Sequence, residues 1–168
     1  LGEPINLVRC ETVDLEVPAD AEIVLEGELL PGRREVEGPF GEFTGHYGQI
    51  VERPVMRLSA ITHRQGAYYQ TIASGLAEHV FLALPAREAA LLRELRRVVP
   101  TVRSVRFPIE QFGFMVHISM EKVNEGDAKN VLLFTLGRDT MLRMAVVVDD
   151  DIDIANSREV SWAIATRV

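Results

Sequence analysis

The chain has 168 residues, a formal net charge of −7, 47% apolar and 26% charged residues. This length suits one domain with a sizeable core or two small domains, and the composition is ordinary for a globular protein. The negative charge argues against nucleic acid or an anionic membrane surface as the main partner, and no apolar run has membrane-spanning length. A single cysteine, Cys10, allows no disulfide within this stretch and favours a reducing compartment, so a cytoplasmic location is expected.

The first 75 residues predict strands and turns. Residues 5–17 alternate loosely between apolar and polar and predict one or two strands. A β-rich run over residues 22–30 is expected to end at the turn signal Pro31-Gly32. Two further β-like runs, 55–62 and 67–73, predict a hairpin. This part of the chain therefore favours an antiparallel sheet or a segment of a barrel.

After Gly75 the pattern alternates between helix and strand. Residues 78–99 are helical in pattern, and Pro85 is expected either to begin a second helix or to kink one long helix. Strands are predicted at 101–107, 112–120 and 144–148, the last as a buried central strand, and helices at 128–136 and after an Asn156 cap. This alternation predicts an α/β or α+β layered domain.

Between these parts, residues 37–48 carry two carboxylates five positions apart, Glu37 and Glu42, in a glycine-rich segment whose Pro39 excludes a helix. Three aromatic side chains lie near the acids in sequence. Desolvation and like charge both disfavour ionisation of a carboxyl group, which is how a glutamate becomes a proton donor near neutral pH. The alternative is a solvent-exposed turn with two ordinary surface glutamates, and the spacing alone leaves both interpretations open.

Other chemically suggestive residues have simpler explanations. The acidic stretch 149–153 lacks the glycine and distal glutamate of a calcium-binding loop, and an acidic turn before a helix N-terminus accounts for it, so no metal ligand is predicted. His46 lies within the acid-bearing segment. His117 is expected at a surface or interface, and Trp162 is expected in the core.

Four stretches carry a resemblance to a known family, in the family's order along the chain. They are Pro18–Gly27 (PADAEIVLEG), Glu37–Gly45 (EGPFGEFTG), Ile61–Arg64 (ITHR), and Val148–Asp153 (VDDDID) together with Trp162–Arg167 (WAIATR). The chain resembles the UbiD family of reversible decarboxylases, and the second stretch is highly specific. Residues 65–68 depart from the proline-containing continuation expected after the third stretch.

The resemblance implies a non-oxidative, reversible decarboxylase of an α,β-unsaturated or aromatic carboxylic acid. It implies prenylated FMN as cofactor, with a divalent metal (Mn²⁺) and K⁺ as an optional further ion. By position in the motif, Glu42 is the general acid that protonates the carbon losing CO2, Glu37 pairs with an arginine, and Phe43 faces the substrate. The arginine and the metal ligands would lie upstream of this sequence, so its cofactor-binding residues are left unassigned.

The resemblance also implies an architecture. Residues 1–75 would be the later part of a split β-barrel-like middle domain, and residues 76–168 most of an α/β C-terminal domain used in homo-oligomerisation, as a dimer or higher, which makes the fold class α+β. The chain opens without a starting Met and is expected to be a piece of a longer polypeptide, inactive and without cofactor by itself. Two functions therefore remain open: a decarboxylase whose catalytic acid lies on this chain, or a catalytically incomplete piece acting only in folding and subunit assembly.

Overall fold

The computed structural model describes residues 4–167 and confirms an α+β fold. The chain divides into two compact units. The N-terminal unit comprises residues up to Gly41 together with Tyr47–Ile72, and the C-terminal unit comprises Glu42–His46 together with residues from Ala73 onward. Within the described range no helix has both the length and the apolar character needed to cross a bilayer.

The N-terminal unit consists of two antiparallel strand pairs. Strands β1 (Leu7–Arg9) and β2 (Glu16–Pro18) form a short pair, and β3 (Ile23–Glu37) and β4 (Val51–His63) form a long hairpin. The predicted hairpin of residues 55–62 with 67–73 is wrong, because residues 67–73 form no strand and β4 pairs with β3. No sheet closes into a barrel within residues 4–167, so the split barrel stays a prediction.

Strand β3 also continues where the sequence predicted a turn. Pro31-Gly32 lies inside β3, and the β3–β4 register shifts between Leu29 and Arg34. A bulge of this kind tolerates a proline, which cannot donate a ladder hydrogen bond, and Gly32 takes a positive φ of 71° there. The turn signal therefore marks an irregularity within the strand.

A buried carboxylate holds the loop between β1 and β2. Glu26, on β3, is only 3% exposed. Its carboxylate accepts hydrogen bonds from the backbone N–H of Glu11 (2.9 Å) and from the N–H and hydroxyl of Thr12 (2.7 and 2.8 Å). These bonds, led by the one from Glu11, lower the pKa of Glu26 because they favour its charged form.

We expect Glu26→Gln to destabilise the chain at neutral pH and to flatten its acid denaturation. A carboxyl group whose pKa is lowered by folding contributes stability that is complete above its unfolded pKa of about 4.3 and is lost as the pH falls through the folded value. Glutamine keeps one acceptor oxygen and turns an NH2 group toward the remaining donors. Urea unfolding between pH 3 and 7 measures both effects. Glu28→Gln, an exposed change on the same strand, is the control. If both variants had the same free energy of unfolding at every pH, Glu26 would not stabilise the β1–β2 loop through its carboxylate.

The C-terminal unit is an α/β layer around a three-stranded sheet. Its helices are α1 (Glu78–Phe81), α2 (Leu84–Val98), α3 (Asp127–Arg138) and α4 (Ser157–Thr166), and its strands are β5 (Val102–Arg106), β6 (Met115–Met120) and β7 (Met144–Asp149). The sheet order is β5-β6-β7, with β6 antiparallel to β5 and parallel to β7.

Local signals at two helix starts are confirmed. Pro85 lies in the first turn of α2, where its missing N–H costs no hydrogen bond, so a second helix begins there. Asn156 caps α4, its side-chain oxygen accepting from the N–H of Arg158 at 3.1 Å. Both features are local in sequence, which is why they were predictable.

The place of the strands in the sheet differs from the prediction. Strand β6 begins at Met115 because Phe112 and Gly113 adopt left-handed backbone angles, with φ of 50° and 78°. Within the described sheet, β6 is the central strand and β7 lies at the edge, which reverses the expectation for residues 144–148. The buried apolar residues of β6 pack in the main core with α2 and α3, which contribute Leu91, Leu95 and Val131.

Two side chains were assigned to the wrong environment. His117, expected at a surface or interface, is 3% exposed because the central strand β6 is covered on both faces. Its Nδ1 lies 3.4 Å from the carbonyl oxygen of Ile154, and desolvation lowers its pKa. Trp162, expected in the core, is 51% exposed, and the guanidinium of Arg167 lies 5.0 Å from its ring centroid.

The burial of His117 predicts a loss of stability in mild acid. The unfolded chain binds a proton near the ordinary histidine pKa of about 6.5, whereas the folded chain resists protonation, so the free energy of unfolding falls as the pH drops below that value. His117→Gln should remove this slope between roughly pH 7 and pH 5. Urea unfolding across that range measures it, with exposed His63→Gln as control. A slope that survives in His117→Gln would place its origin in another group.

Candidate active site

The two acids of the 37–48 segment belong to different units. Glu37 is the last residue of β3 and is exposed, and its carboxylate lies 3.5 Å from Nε of Arg53 on β4. Glu42 is half-buried and begins the Glu42–His46 piece that belongs to the C-terminal unit. The connection between β3 and β4 is therefore divided, with its middle five residues assigned to the unit that follows it in the chain.

Hydrogen bonds fix the backbone on both sides of Glu42. Its N–H donates to the carbonyl oxygen of His46 at 2.8 Å, and its own carbonyl oxygen accepts from the N–H of Gly45 at 3.0 Å. Gly45 has a φ of 77°, a conformation that side-chain-bearing residues rarely adopt. We call Glu42–His46 the acid turn. Its hydrogen bonds hold the backbone of Glu42 in place and do not involve the carboxyl group.

Phe43 packs the acid turn onto the core of the C-terminal unit. Its ring stacks on Phe114, with centroids 5.6 Å apart and planes inclined by 23°. The ring of His79, on α1, meets it edge to face at 5.9 Å and 64°. Aromatic pairs at these separations contribute about 0.5–1.5 kcal/mol beyond the area they bury. Phe114 and His79 are site residues that sequence reasoning missed, because only the tertiary fold brings them beside Phe43.

Gly75 lies against the backbone of the acid turn. A Cβ placed on Gly75 would lie 3.3 Å from Cα of Gly45 and 3.5 Å from the carbonyl oxygen of Glu42, and the φ of Gly75 is 78°. Both the close approach and the positive φ call for glycine. The sequence marked Gly75 only as the point where the pattern changes, so its contact with the turn was not predicted.

The remaining aromatic and histidine side chains of the segment are exposed. Phe40 and Tyr47 belong to the N-terminal unit, and both rings are largely open to solvent. His46 is exposed as well, and its N–H donates to Oγ1 of Thr44 at 3.4 Å. Of the three rings near the acids in sequence, Phe43 alone is packed against a hydrophobic core in the described structure.

Four described cavities are small for a flavin, and the described side chains form no cluster of three metal ligands. No group of three or more His, Cys, Asp or Glu side chains among residues 4–167 could hold a metal ion. Four cavities lined by described residues measure about 180–240 Å³, below the ~300–1,000 Å³ of typical small-molecule sites. In the acidic stretch, Asp151 instead forms a bidentate ion pair with Arg167 at 2.8 and 2.9 Å.

Two models of one protein family match this chain. Residues 1–77 match the family model for the Rift-related domain of 3-octaprenyl-4-hydroxybenzoate carboxy-lyase, and residues 80–168 match the model for the C-terminal domain of the same carboxy-lyase. Both models are named for a carboxy-lyase, an enzyme that removes or adds CO2. The chain belongs to the UbiD family.

Three relatives illustrate the match. The chain is 42% identical over 166 residues to anhydromevalonate phosphate decarboxylase of Methanothermobacter thermautotrophicus, which aligns 98% of this chain with 39% of that protein. It is 33% identical over 180 residues to phenolic acid decarboxylase of Bacillus subtilis, aligning 99% of this chain with 36% of that protein. An evolved dimeric form of the UbiD-class enzyme HmfF from Pelotomaculum thermopropionicum, in complex with prFMN, superposes with a TM-score of 0.88 and 47% identity, covering 99% of this chain and 39% of that chain. This chain therefore spans less than two fifths of each relative.

We expect Gly75→Ala to destabilise the chain more than Gly66→Ala does. Both glycines have a positive φ, so either substitution costs about 1–2 kcal/mol of backbone strain. A Cβ on Gly66 meets nothing within 4 Å, whereas one on Gly75 meets the acid turn. Urea unfolding of the two variants isolates the contact. Equal losses would show that Gly75 does not support the turn.

Proposed function

We propose that the full-length protein carrying this chain is a non-oxidative, reversible decarboxylase of an α,β-unsaturated or aromatic carboxylic acid, with Glu42 as its general acid. The proposal rests on the placement of Glu42. It is half-buried, its backbone N–H and carbonyl groups are both hydrogen-bonded within the acid turn, and the ring of the next residue packs against a hydrophobic core. The family match and the decarboxylase relatives support the reaction class.

Decarboxylation creates a need that Glu42 can meet. When a carboxylate leaves as CO2, the electron pair of the broken C–C bond stays on carbon, and a proton must replace the lost group. A protonated Glu42 supplies that proton and becomes a carboxylate, which solvent protonates again before the next turnover. In the reverse reaction the carboxylate takes the proton from the carbon to which CO2 adds. A positioned acid of this kind contributes about 10²- to 10⁴-fold in rate.

Glu37 is proposed as the partner of an arginine at the assembled site. Its carboxylate lies 3.5 Å from Nε of Arg53, and this exposed ion pair supports the proposal that Glu37 can pair with an arginine. Phe43 as a substrate contact stays a prediction. Its apolar ring suits an aromatic or unsaturated acid, while its packing on Phe114 supports a second role in holding the acid turn.

The cofactor and the assembly belong to the full-length protein. We propose prenylated FMN with Mn²⁺, and K⁺ as an optional ion, held by residues outside this chain; the HmfF complex with prFMN supports the flavin. The proposed division into residues 1–75 of a split-barrel-like domain and 76–168 of an oligomerisation domain is supported by the two family matches. The dimeric form of HmfF supports a homo-oligomer, and the lone cysteine supports a cytoplasmic location.

The second candidate function is that this chain alone serves only folding and subunit assembly. The small size of the four cavities and the lack of a three-ligand metal cluster within residues 4–167 support it for the isolated chain. Incubating the 168-residue chain with prenylated FMN, Mn²⁺ and a panel of unsaturated acids discriminates the two. CO2 release from the isolated chain would exclude the second candidate.

Glu42→Gln in the full-length, cofactor-loaded protein should lower kcat at least about 100-fold, because glutamine has nearly the same shape but no acidic proton to transfer to carbon. CO2 release and incorporation of solvent deuterium into the product measure the step. Glu35→Gln is the matched control, since Glu35 is an exposed acid on β3 that pairs with Arg33. Wild-type turnover by Glu42→Gln would refute the assignment of Glu42 as the acid.

A further inference from the structure

We infer that Phe43 is a positioning residue, whose stack on Phe114 fixes the acid turn to the C-terminal unit and thereby sets where the Glu42 carboxyl group lies. This inference rests on the proposed function, because it concerns how the proposed acid is held. It assigns part of the catalytic geometry to a residue, Phe114, that lies 72 positions beyond Glu42 in the sequence.

Phe43 is linked directly to Glu42 through the backbone. The two residues are adjacent, so immobilising the Phe43 side chain and backbone restricts the Cα of Glu42 as well. The rest of the β3–β4 connection belongs to the N-terminal unit, and only Glu42–His46 is assigned to the C-terminal unit. Within that piece, Phe43 is the hydrophobic side chain that packs against the C-terminal core, in contact with Phe114 and His79.

Phe114 itself is held by backbone hydrogen bonds. Its N–H donates to the carbonyl oxygen of Gln111 at 2.9 Å, and its carbonyl oxygen accepts from the N–H groups of Arg143 (2.8 Å) and Met144 (3.2 Å). Both backbone groups of Phe114 are thus engaged, and β6 begins at the next residue. The ring of Phe114 is therefore presented by a fixed backbone.

The residue before Phe114, Gly113, is held by a hydrogen bond from Arg87. Gly113 has a φ of 78°, and its carbonyl oxygen accepts from Nη1 of Arg87 at 3.2 Å. Arg87 in turn forms a largely buried ion pair with Asp139 at 2.7 Å, and its guanidinium lies 4.4 Å from the ring centroid of Phe107. A Cβ on Gly113 would lie 2.5 Å from Nη1 of Arg87. Arg87 of α2, held by Asp139 at the end of α3, thus fixes the turn that precedes Phe114.

The rate of proton transfer depends steeply on the distance between the acid and the carbon that it protonates. A displacement of about 1 Å in a reacting group can lower the rate about 100-fold, whereas replacing a ring by an apolar side chain of similar size changes stability modestly. Loss of the flat face of Phe114 should therefore affect turnover far more than folding. A residue that only filled space in the core would show the opposite balance.

The test uses the full-length, cofactor-loaded enzyme with Phe114→Leu. We expect kcat to fall at least tenfold with KM within about threefold of wild type, because the proton-transfer geometry is disturbed and substrate binding is retained. A second readout needs no turnover: in the apo protein, amide hydrogen exchange at Glu42 and Gly45 should accelerate, since the turn is released from its platform. Phe134→Leu is the matched control, being a half-buried phenylalanine on α3 packed against the same core. It should change neither readout.

Phe43→Leu and the double variant separate positioning from direct substrate contact. If the two rings act through one stack, the double variant is no slower than the slower single variant, because the second substitution has nothing left to remove. Multiplied losses, or unchanged exchange at Glu42 and Gly45 in Phe114→Leu, would overturn the inference. Phe43→Leu also provides the exchange test if Phe114→Leu fails to fold.

Glu42→Gln distinguishes failure of this inference from failure of the proposed function. If Glu42→Gln turns over like wild type, the acid assignment is lost and the inference falls with it, whatever the exchange rates show about the turn. If Glu42→Gln is inactive while Phe114→Leu retains wild-type kcat and exchange rates, the proposed function stands and the positioning role of Phe43 is excluded.

Discussion

The contact of Phe43 with Phe114 is the interaction on which the candidate site depends. The acid turn contains five residues and is held by short-range hydrogen bonds, which define its shape but not its place in the molecule. A turn of this length gains its place from the surface against which it packs. Here that surface is a ring at the start of the central strand β6, which is the most completely buried strand of the described sheet.

Burial in the C-terminal unit explains why this platform is rigid. Strand β6 is covered on both faces, by the main core on one side and by the cluster that contains Ile152 and Ile154 on the other. An isolated edge strand would be freer to shift. Because β6 is hydrogen-bonded to a strand on each side, its first residues are held as rigidly as the rest of the sheet. Phe114 comes immediately before them.

The sequence predicted those parts of the fold that depend on near neighbours. The Asn156 cap and the start of α2 at Pro85 are set by hydrogen bonds and steric clashes within a few residues, so they were found. The errors concern long-range pairing. Nothing in residues 67–73 reveals that β4 prefers β3, and the alternating pattern of β6 could not show that both of its faces are covered, so His117 was placed at the surface.

The candidate site divides along the same line. Glu37 and Glu42 were identified from their spacing in a glycine-rich segment, and their motif carried the family resemblance. Phe114, His79 and Gly75 cannot be recognised from the sequence, because they contact the acid turn only in the folded protein. No local pattern distinguishes Phe114 from the other phenylalanines of the chain, and its contact partner is 71 positions away.

The assignment of Glu42–His46 to the C-terminal unit has a consequence for how this protein can be recombined. A chimera joined near residue 73 would leave Phe43 on one parent and Phe114 on the other, although the two rings share a single interface. Replacing residues 73–168 by those of another protein therefore also replaces Phe114, the ring against which Phe43 and the acid turn pack. The segment to be exchanged is therefore discontinuous in sequence. Its smaller piece, Glu42–His46, lies between β3 and β4.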